Sequence, residues 1–416
     1  MSWLDNLPFM SRRRVKLTEP SGWGIDRAWA GHSVTPDTAM QRSAAWACVR
    51  LNARTIGSLP IKVYQKTPDG KRRLATEHPL HSIINATPNH EQTAMEFWEG
   101  QATALNLRGF AYAEKKKLGG RLVALLPMDP DRVTVYRTAS GERRYRYYSK
   151  SGQPRDLGED DVFHLRGFGA GGDNGLSPIG YARQTLSTSA AADEVAGRTF
   201  SSGLQLAGFV EDQPGAKTTN DQRKDLIELF KQFEGSSRAG KVMPLPPGFS
   251  FKPLNMTPED AQLLETRRFN IEEICRWFGV FPILVGHAAD GQTMWGSGVE
   301  QINLAWLTLY LGPELQRIEQ AIEKQLLTAV DIARGYYVEF KVDALLRADS
   351  AGRAKLMSAQ AQNGLKTRNE LRALDNDEPM PGGDVLTVQS NLVPLELLGK
   401  VAPQIVLGSG KGPDED

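Results

Sequence analysis

This sequence has almost no cysteine, no long apolar run and no surplus of either charge. Its 416 residues include only two cysteines, Cys48 and Cys275. Neither has metal-ligand spacing to a partner, which excludes a disulfide-stapled fold and a zinc module, so both read as buried thiols in a reducing compartment. No window approaches the ~18 uninterrupted apolar residues of a spanning helix, and no membrane partner is expected. Residues 1–11 do not form a signal peptide. Charge or proline interrupts Trp3, Leu4, Leu7, Phe9 and Met10, and Arg12-Arg13-Arg14 comes after them. The chain is expected to be cytosolic where it is made. Lys and Arg total 50 against 49 Asp and Glu, a formal net charge of +1. Tight nucleic-acid binding by phosphate neutralisation needs a basic surplus. A highly charged disordered chain is excluded as well.

The chemistry-bearing patterns are equally sparse. His78, His81, His90, His164 and His287 form no H-E-x-x-H and have no cysteine partner, and no G-x-S-x-G elbow is present. Gly167–Gly172 matches G-x-G-x-x-G between a strand and a helix, with Asp193 and Glu194 about twenty residues on. Those acids lie inside an Ala-rich helix and not at the end of a second strand, and the helix opens only at Ser177. A strand-to-helix crossover is the better account, with a nucleotide-binding enzyme using Gly167–Gly172 as the alternative. Glu272-Glu273 and Glu259-Asp260, beside Arg267, Arg268 and Arg276, read as solvated ion pairs at helical spacing. Lys115-Lys116-Lys117 reads as a protected strand edge, and Arg12–Arg14 as a solvated arm. No catalytic residue, cofactor or metal is expected.

Periodicity gives an α+β reading. Ser43–Ser58 is helical, with Trp46, Val49 and Ile56 at helical spacing. Residues 60–65 alternate as a strand before the Pro68-Asp69-Gly70 turn. A short helix spans His78 to Asn85. Thr93 and Glu96 form a capping box for a helix that Gly109 ends. Strands are expected at 110–116, 121–126, 132–137, 144–149 and 161–165. Ser177-Pro178 then opens a helix to about Phe200. Residues 207–256 read as a small lobe with a strand at 206–210, a helix at Asn220–Phe233, and strands at 241–245 and 250–254. A helix from Pro258 to Phe278 offers Leu263, Leu264, Phe269, Ile271, Ile274 and Phe278 for packing. A second long helix begins near Val299, and Pro313 should kink it near Leu309. A strand at 336–342 and helices at 350–362 and 367–374 follow.

Several strings, taken in order, resemble the tailed-phage portal protein family, in the compact branch of long-tailed phages and prophages. They run from Val49 to Tyr64, then His78-Pro79-Leu80 with Pro88-Asn89, Leu125–Pro130, and His164-Leu165-Arg166 with Gly175–Ile179. Glu265–Arg268, Ile274–Val280 with Pro282 and Gly286, Leu309–Pro313, and Thr367–Arg372 with Pro381–Asp384 complete the set. Two features depart from the family. Phe281 stands where proline is commoner before Pro282, and Gly291–Gly298 is glycine-rich where the family has a more polar turn.

The resemblance implies a ring, typically of twelve subunits, at one capsid vertex, through which double-stranded DNA passes in packaging and ejection. It implies docking of the terminase large subunit and a head-tail adaptor, contact with the major capsid protein, assembly in the host cytoplasm and residence in the virion. The corresponding divisions are an N-terminal arm (1–36), a wing (37–190 with 336–349), stem helices (191–206 and 257–278), a clip (207–256), a tunnel loop (279–298), a long kinked helix (299–335), a crown (350–385) and a flexible tail (386–416). Val285, His287, Gln292, Met294 and Trp295 are the loop residues expected to face DNA, although Met294 and Trp295 could instead pack on a neighbouring subunit. Gly312 and Pro313 mark the kink. The scattered charge pairs are expected to set register between subunits.

Overall fold

The computed structural model describes residues 31–149, 151–201, 208–212, 219–233, 245, 249–253, 258–287, 297–342, 350–374 and 377–388. The chain divides into two compact units, Met1–Lys341 and Val342–Asp416. In the first, helix α1 (Pro36–Met40) leads into α2 (Ser43–Ser58), whose buried stripe is Ala45, Cys48, Val49, Asn52, Ala53 and Ile56. Trp46 lies at the edge of that stripe and is 50% exposed. Strands β1 (Ile61–Lys66) and β2 (Arg72–Leu74) flank the expected turn, where Gly70 takes φ +79. Helix α3 (Pro79–Asn85) precedes α4 (Ala94–Arg108), which has the Thr93–Glu96 capping box at one end and left-handed Gly109 at the other. Trp98 of α4 is fully buried against Phe97 and Phe163, and its indole N–H donates to Ile84 O at 2.8 Å.

Six strands follow: β3 (Phe110–Leu118), β4 (Arg121–Met128), β5 (Val133–Arg137), β6 (Arg143–Tyr148), β7 (Pro154–Leu157) and β8 (Val162–Arg166). They form two antiparallel sheets ordered β4-β3-β8 and β5-β6-β7. Because β3 is central, the lysine run does not protect an edge. Lys115 is buried, and its Nζ donates to Glu159 O at 3.1 Å and Gln325 O at 3.3 Å. Ser177 caps α5 (Pro178–Tyr181), and α6 (Arg183–Ser201) starts after a turn at Ala182. The single helix expected here is therefore two, although the Ala182 N–H still bonds to Pro178 O.

In the lobe, β9 (Gly208–Asp212) pairs antiparallel with β10 (Phe249–Pro253), and α7 (Asn220–Phe233) lies between them in sequence. The strand expected at 241–245 falls outside the described residues, apart from Leu245. Helix α8 (Pro258–Trp277) buries Ile274, Cys275 and the following Phe278. Phe269 is 55% exposed under the Arg276 guanidinium, because nine residues of helix place it opposite Phe278. Leu263 and Leu264 fall outside the described side chains. Two of the expected charge-bearing residues find partners within the chain. Arg267 reaches Asp193 of α6 at 3.2 Å, and Arg276 pairs with Glu273.

Helices α9 (Ser297–Trp306) and α10 (Gly312–Leu326) flank a π segment, Leu307–Leu311, and are followed by α11 (Ala329–Ala333). Strand β11 (Tyr336–Phe340) then pairs with β1 to complete a sheet ordered β11-β1-β2. In the second unit, Thr367 and Glu370 cap α13 (Arg368–Leu374) after α12 (Ser350–Gln362). Asn369 bonds Met380 through both its Oδ1 and Nδ2, and Val388 bridges Asn363 inside the stretch expected to be a tail.

Candidate channel-lining segment

The segment expected to be a tunnel loop leaves a rigid root. Ile274, Cys275, Phe278 and Val280 share one buried cluster with Ala45, Cys48 and Val49 of α2. The Asn52 amide donates to Phe278 O and to Asn106 Oδ1, both at 3.0 Å, so a side chain from α2 satisfies a carbonyl left over at the end of α8. Gly279 follows at φ +63, and a Cβ there would stand 2.6 Å from Tyr310 Cδ1, so only glycine fits. The Phe281 ring meets Tyr310 edge to face at 5.7 Å, which gives this departure from the family pattern a packing role. Pro282–Val285 winds a 3₁₀ turn closed by left-handed Gly286, and the His287 N–H donates to Pro282 O at 3.0 Å.

The structure places Val285 half-buried against the same cluster. It places the largely covered His287 ring with Nε2 3.9 Å from Glu272 Oε1. Gln292, Met294 and Trp295 lie outside the described residues. At Gly312-Pro313 the structure has the π segment. The Gly312 N–H donates to Leu307 O, five residues back. Pro313 has no N–H to offer Leu309, and its ring crowds that carbonyl, so a widened turn just before it absorbs the mismatch. Leu304, Leu309 and Tyr310 around this turn are exposed.

Beyond the π segment, α10 is clamped to two sheets by side chains that bond backbone. The Gln325 amide pairs with both groups of His164 on β8. It accepts from the N–H at 2.8 Å and donates to the carbonyl at 3.0 Å. On β11, Glu319 accepts the Phe340 N–H at 2.7 Å and Glu323 the Val338 N–H at 3.0 Å. Burial raises the Glu319 pKa although the Phe340 amide opposes it. Leu315, Ile318 and Ile322 bury the adjoining face. The helix is thus held at its C-terminal half, while its N-terminal continuation carries the π segment and the loop. Sequence reasoning missed this clamp. Glu319 and Glu323 at a four-residue spacing look like a solvated face, and only the position of β11 gives them another meaning.

The first glycine of the loop, Gly167, has a packing explanation. Strand β8 runs antiparallel to β3, so Gly167–Gly172 does not sit in a βαβ unit. A Cβ on Gly167 would lie 2.8 Å from Gly109 O, one on Gly175 2.1 Å from the same oxygen, and one on Gly109 2.1 Å from Leu176 O. Three backbones cross there at a separation only glycine permits. Asp193 is held by Arg42 and Arg267, and Glu194 by His32, so both acids are committed to ion pairs within the chain. A cleft of about 300 Å³ does lie between this loop and α10, and Arg317 on its wall donates to Gly167 O at 3.2 Å. Among the described residues no three His, Cys, Asp or Glu side chains converge as metal ligands, and no helix is long and apolar enough to cross a membrane.

A model of the family "Phage portal protein" matches residues 43–376. The chain belongs to the phage portal protein family. Its portal relatives include the "Portal protein" of Enterobacteria phage HK97, 34% identical over 370 residues that cover 88% of this chain and 86% of the relative. The "Probable portal protein" of Streptomyces phage phiC31 is 31% identical over 365 residues, 86% and 79% of the two chains. The fold is similar to a chain in the neck of an empty gene transfer agent particle computed with C6 symmetry. The TM-score there is 0.59 at 23% identity, covering 82% of this chain and 92% of that one. The mixed helix and antiparallel sheet described above is therefore a portal-type α+β subunit.

Proposed function

We propose that copies of this chain close into a ring at one capsid vertex, and that double-stranded DNA is packaged and ejected through its centre. The ring would also be the docking site of the terminase large subunit and the head-tail adaptor. The observation that carries this reading is the family match across residues 43–376. Support comes from a chain of similar fold in the neck of a native gene transfer agent particle computed with C12 symmetry. A head-to-tail interface whose rotation closes would build such a ring. In this reading the α+β body is the wing, 207–256 the clip, α6 and α8 the stem, and the helices after Ser350 the crown. The loop from 281 to 298 lines the channel, with Gln292, Met294 and Trp295 toward the duplex, while Val285 and His287, expected there too, pack back on the body at the loop's root. The subunit performs no catalysis, and a separate motor hydrolyses ATP.

The physics of the chain agrees with a conduit. A pore making ~6–10 phosphate contacts would grip DNA in a strongly salt-sensitive way, and a net charge of +1 leaves little surplus for that. Clamping α10 while leaving the π segment above it lets the loop shift without loss of the packed body. The test is electron microscopy of the purified protein viewed down the ring axis. A ring with an open centre and residues 281–298 at its narrowest point is expected. A particle without a central passage, or one with that segment at the rim, overturns the reading.

A further inference from the structure

Cys48 and Cys275 are separated by 227 positions, yet the fold brings their sulfurs to 3.6 Å. Both are fully buried, one on α2 and the other in the last turn of α8, inside the cluster that roots the loop. They are the only cysteines in the chain, so no other intramolecular pairing competes. We infer that they form an oxidisable dithiol, which closes to an intramolecular disulfide and ties α2 covalently to the end of α8. Reaching the bonded S–S separation of about 2.05 Å takes roughly 1.5 Å of approach, within the scope of a rotamer change and a small shift of a helix end.

The two thiols are not equivalent. The Cys48 S–H donates to Cys275, which holds the Cys275 thiol below its usual range, while the same contact and burial push Cys48 up. Cys275, next to the exposed Arg276 and Trp277 at the end of α8, is the thiol that local opening uncovers and so the first nucleophile. The co-reactant is a small-molecule disulfide. The Cys275 thiolate attacks one of its sulfurs and expels the first thiol, and the Cys48 thiolate then attacks the Cys275 sulfur of the mixed disulfide and expels the second. Two protein thiols are oxidised, one small disulfide is reduced, and the two protons leave on the released thiols. The consequence rests on the channel reading. Reducing cytosol keeps the pair open during folding, and the oxidising surroundings of a released particle close it, fixing the origin of the loop.

The test treats the native full-length protein with glutathione disulfide, then denatures and alkylates it for intact-mass and peptide analysis. The expected result is loss of both alkylatable thiols, a mass lower by two hydrogens, and a Cys48–Cys275 cross-linked peptide that dithiothreitol reverses. Cys48→Ser and Cys275→Ser should each abolish the cross-link, and Cys48→Ser should stop at a glutathione adduct on Cys275. Retention of both thiols, glutathione adducts alone on the unsubstituted protein, or disulfides only between chains would overturn the inference. None of these readouts needs a ring, so failure here and failure of the channel reading are seen separately.

Discussion

Acid stability should turn on His164. Its ring lies against Tyr112 at 4.6 Å, its Nδ1 is 3.2 Å from the Tyr145 hydroxyl, and its buried Nε2 has no hydrogen-bond partner among the described residues. Burial, aided by the Arg166 charge, pushes its pKa from the ordinary 6.5 to about 3. The unfolded chain takes up a proton below pH 6.5, but the folded chain does not until about pH 3. The stability conferred by the neutral ring is therefore complete above pH 6.5 and is lost at ~1.4 kcal/mol per pH unit as acid is added. From pH 7 to pH 4 the loss is about 3 kcal/mol, a large part of a typical total of ~5–15 kcal/mol. His164→Gln cannot titrate but keeps the backbone pair with Gln325. Urea unfolding at pH 7 should find the variant weaker by ~1–3 kcal/mol from lost packing and the lost Tyr145 contact. At pH 4 that gap should close or reverse. Parallel stability curves, or an imidazole proton resonance titrating near pH 6.5 in the folded protein, would refute the argument.

Four further outcomes follow from the loop root and the clamp. Gln325→Leu strands the His164 N–H and carbonyl and should cost about 2–4 kcal/mol in denaturant unfolding, with faster amide exchange at β8. Gly279→Ala puts a Cβ into the Tyr310 ring in a left-handed conformation and should lower the melting temperature, at a cost of at least ~1–3 kcal/mol. Pro313→Ala restores an N–H for Leu309 O, so hydrogen exchange across residues 307–313 should slow as the π segment tightens to α-helix, and unchanged exchange would refute proline as its cause. The raised Glu319 pKa stabilises the fold below the ordinary 4.5 and loses that contribution as pH rises through the folded value. Glu319→Gln, which still accepts from Phe340, should therefore raise the melting temperature at pH 7 and not at pH 4.

Much of this fold was legible because local chemistry and tertiary context agree. Thr93 with Glu96, Ser177 before Pro178, and Gly109 after α4 each mark a boundary by satisfying the groups a helix end leaves open, and the structure puts those boundaries where they were expected. Strands β2 and β7 were not legible. Arg72–Leu74 and Pro154–Leu157 expose nearly every residue, and they are strands only because β1 and β6 lie beside them. The glycine loop read as a crossover despite its phosphate-loop spelling, and the backbones crossing at Gly109 supply a packing reason for glycine at 167 and 175. The loop root was legible as a Gly-Val-Phe-Pro string after a helix, but not its lock on Tyr310, which arrives from thirty-one positions further along. The nearness of Cys48 and Cys275 had no local signal at all.

The attachment of α10 has one more consequence. Strands β8 and β11 are outer strands of their sheets, and such strands invite pairing with a strand of another molecule. Here the outward amide groups of His164, Val338 and Phe340 are already occupied by Gln325, Glu323 and Glu319. Many copies crowded side by side would find no vacant ladder at those positions. Unwanted strand-by-strand polymerisation is thereby discouraged, and association is left to helices and side chains.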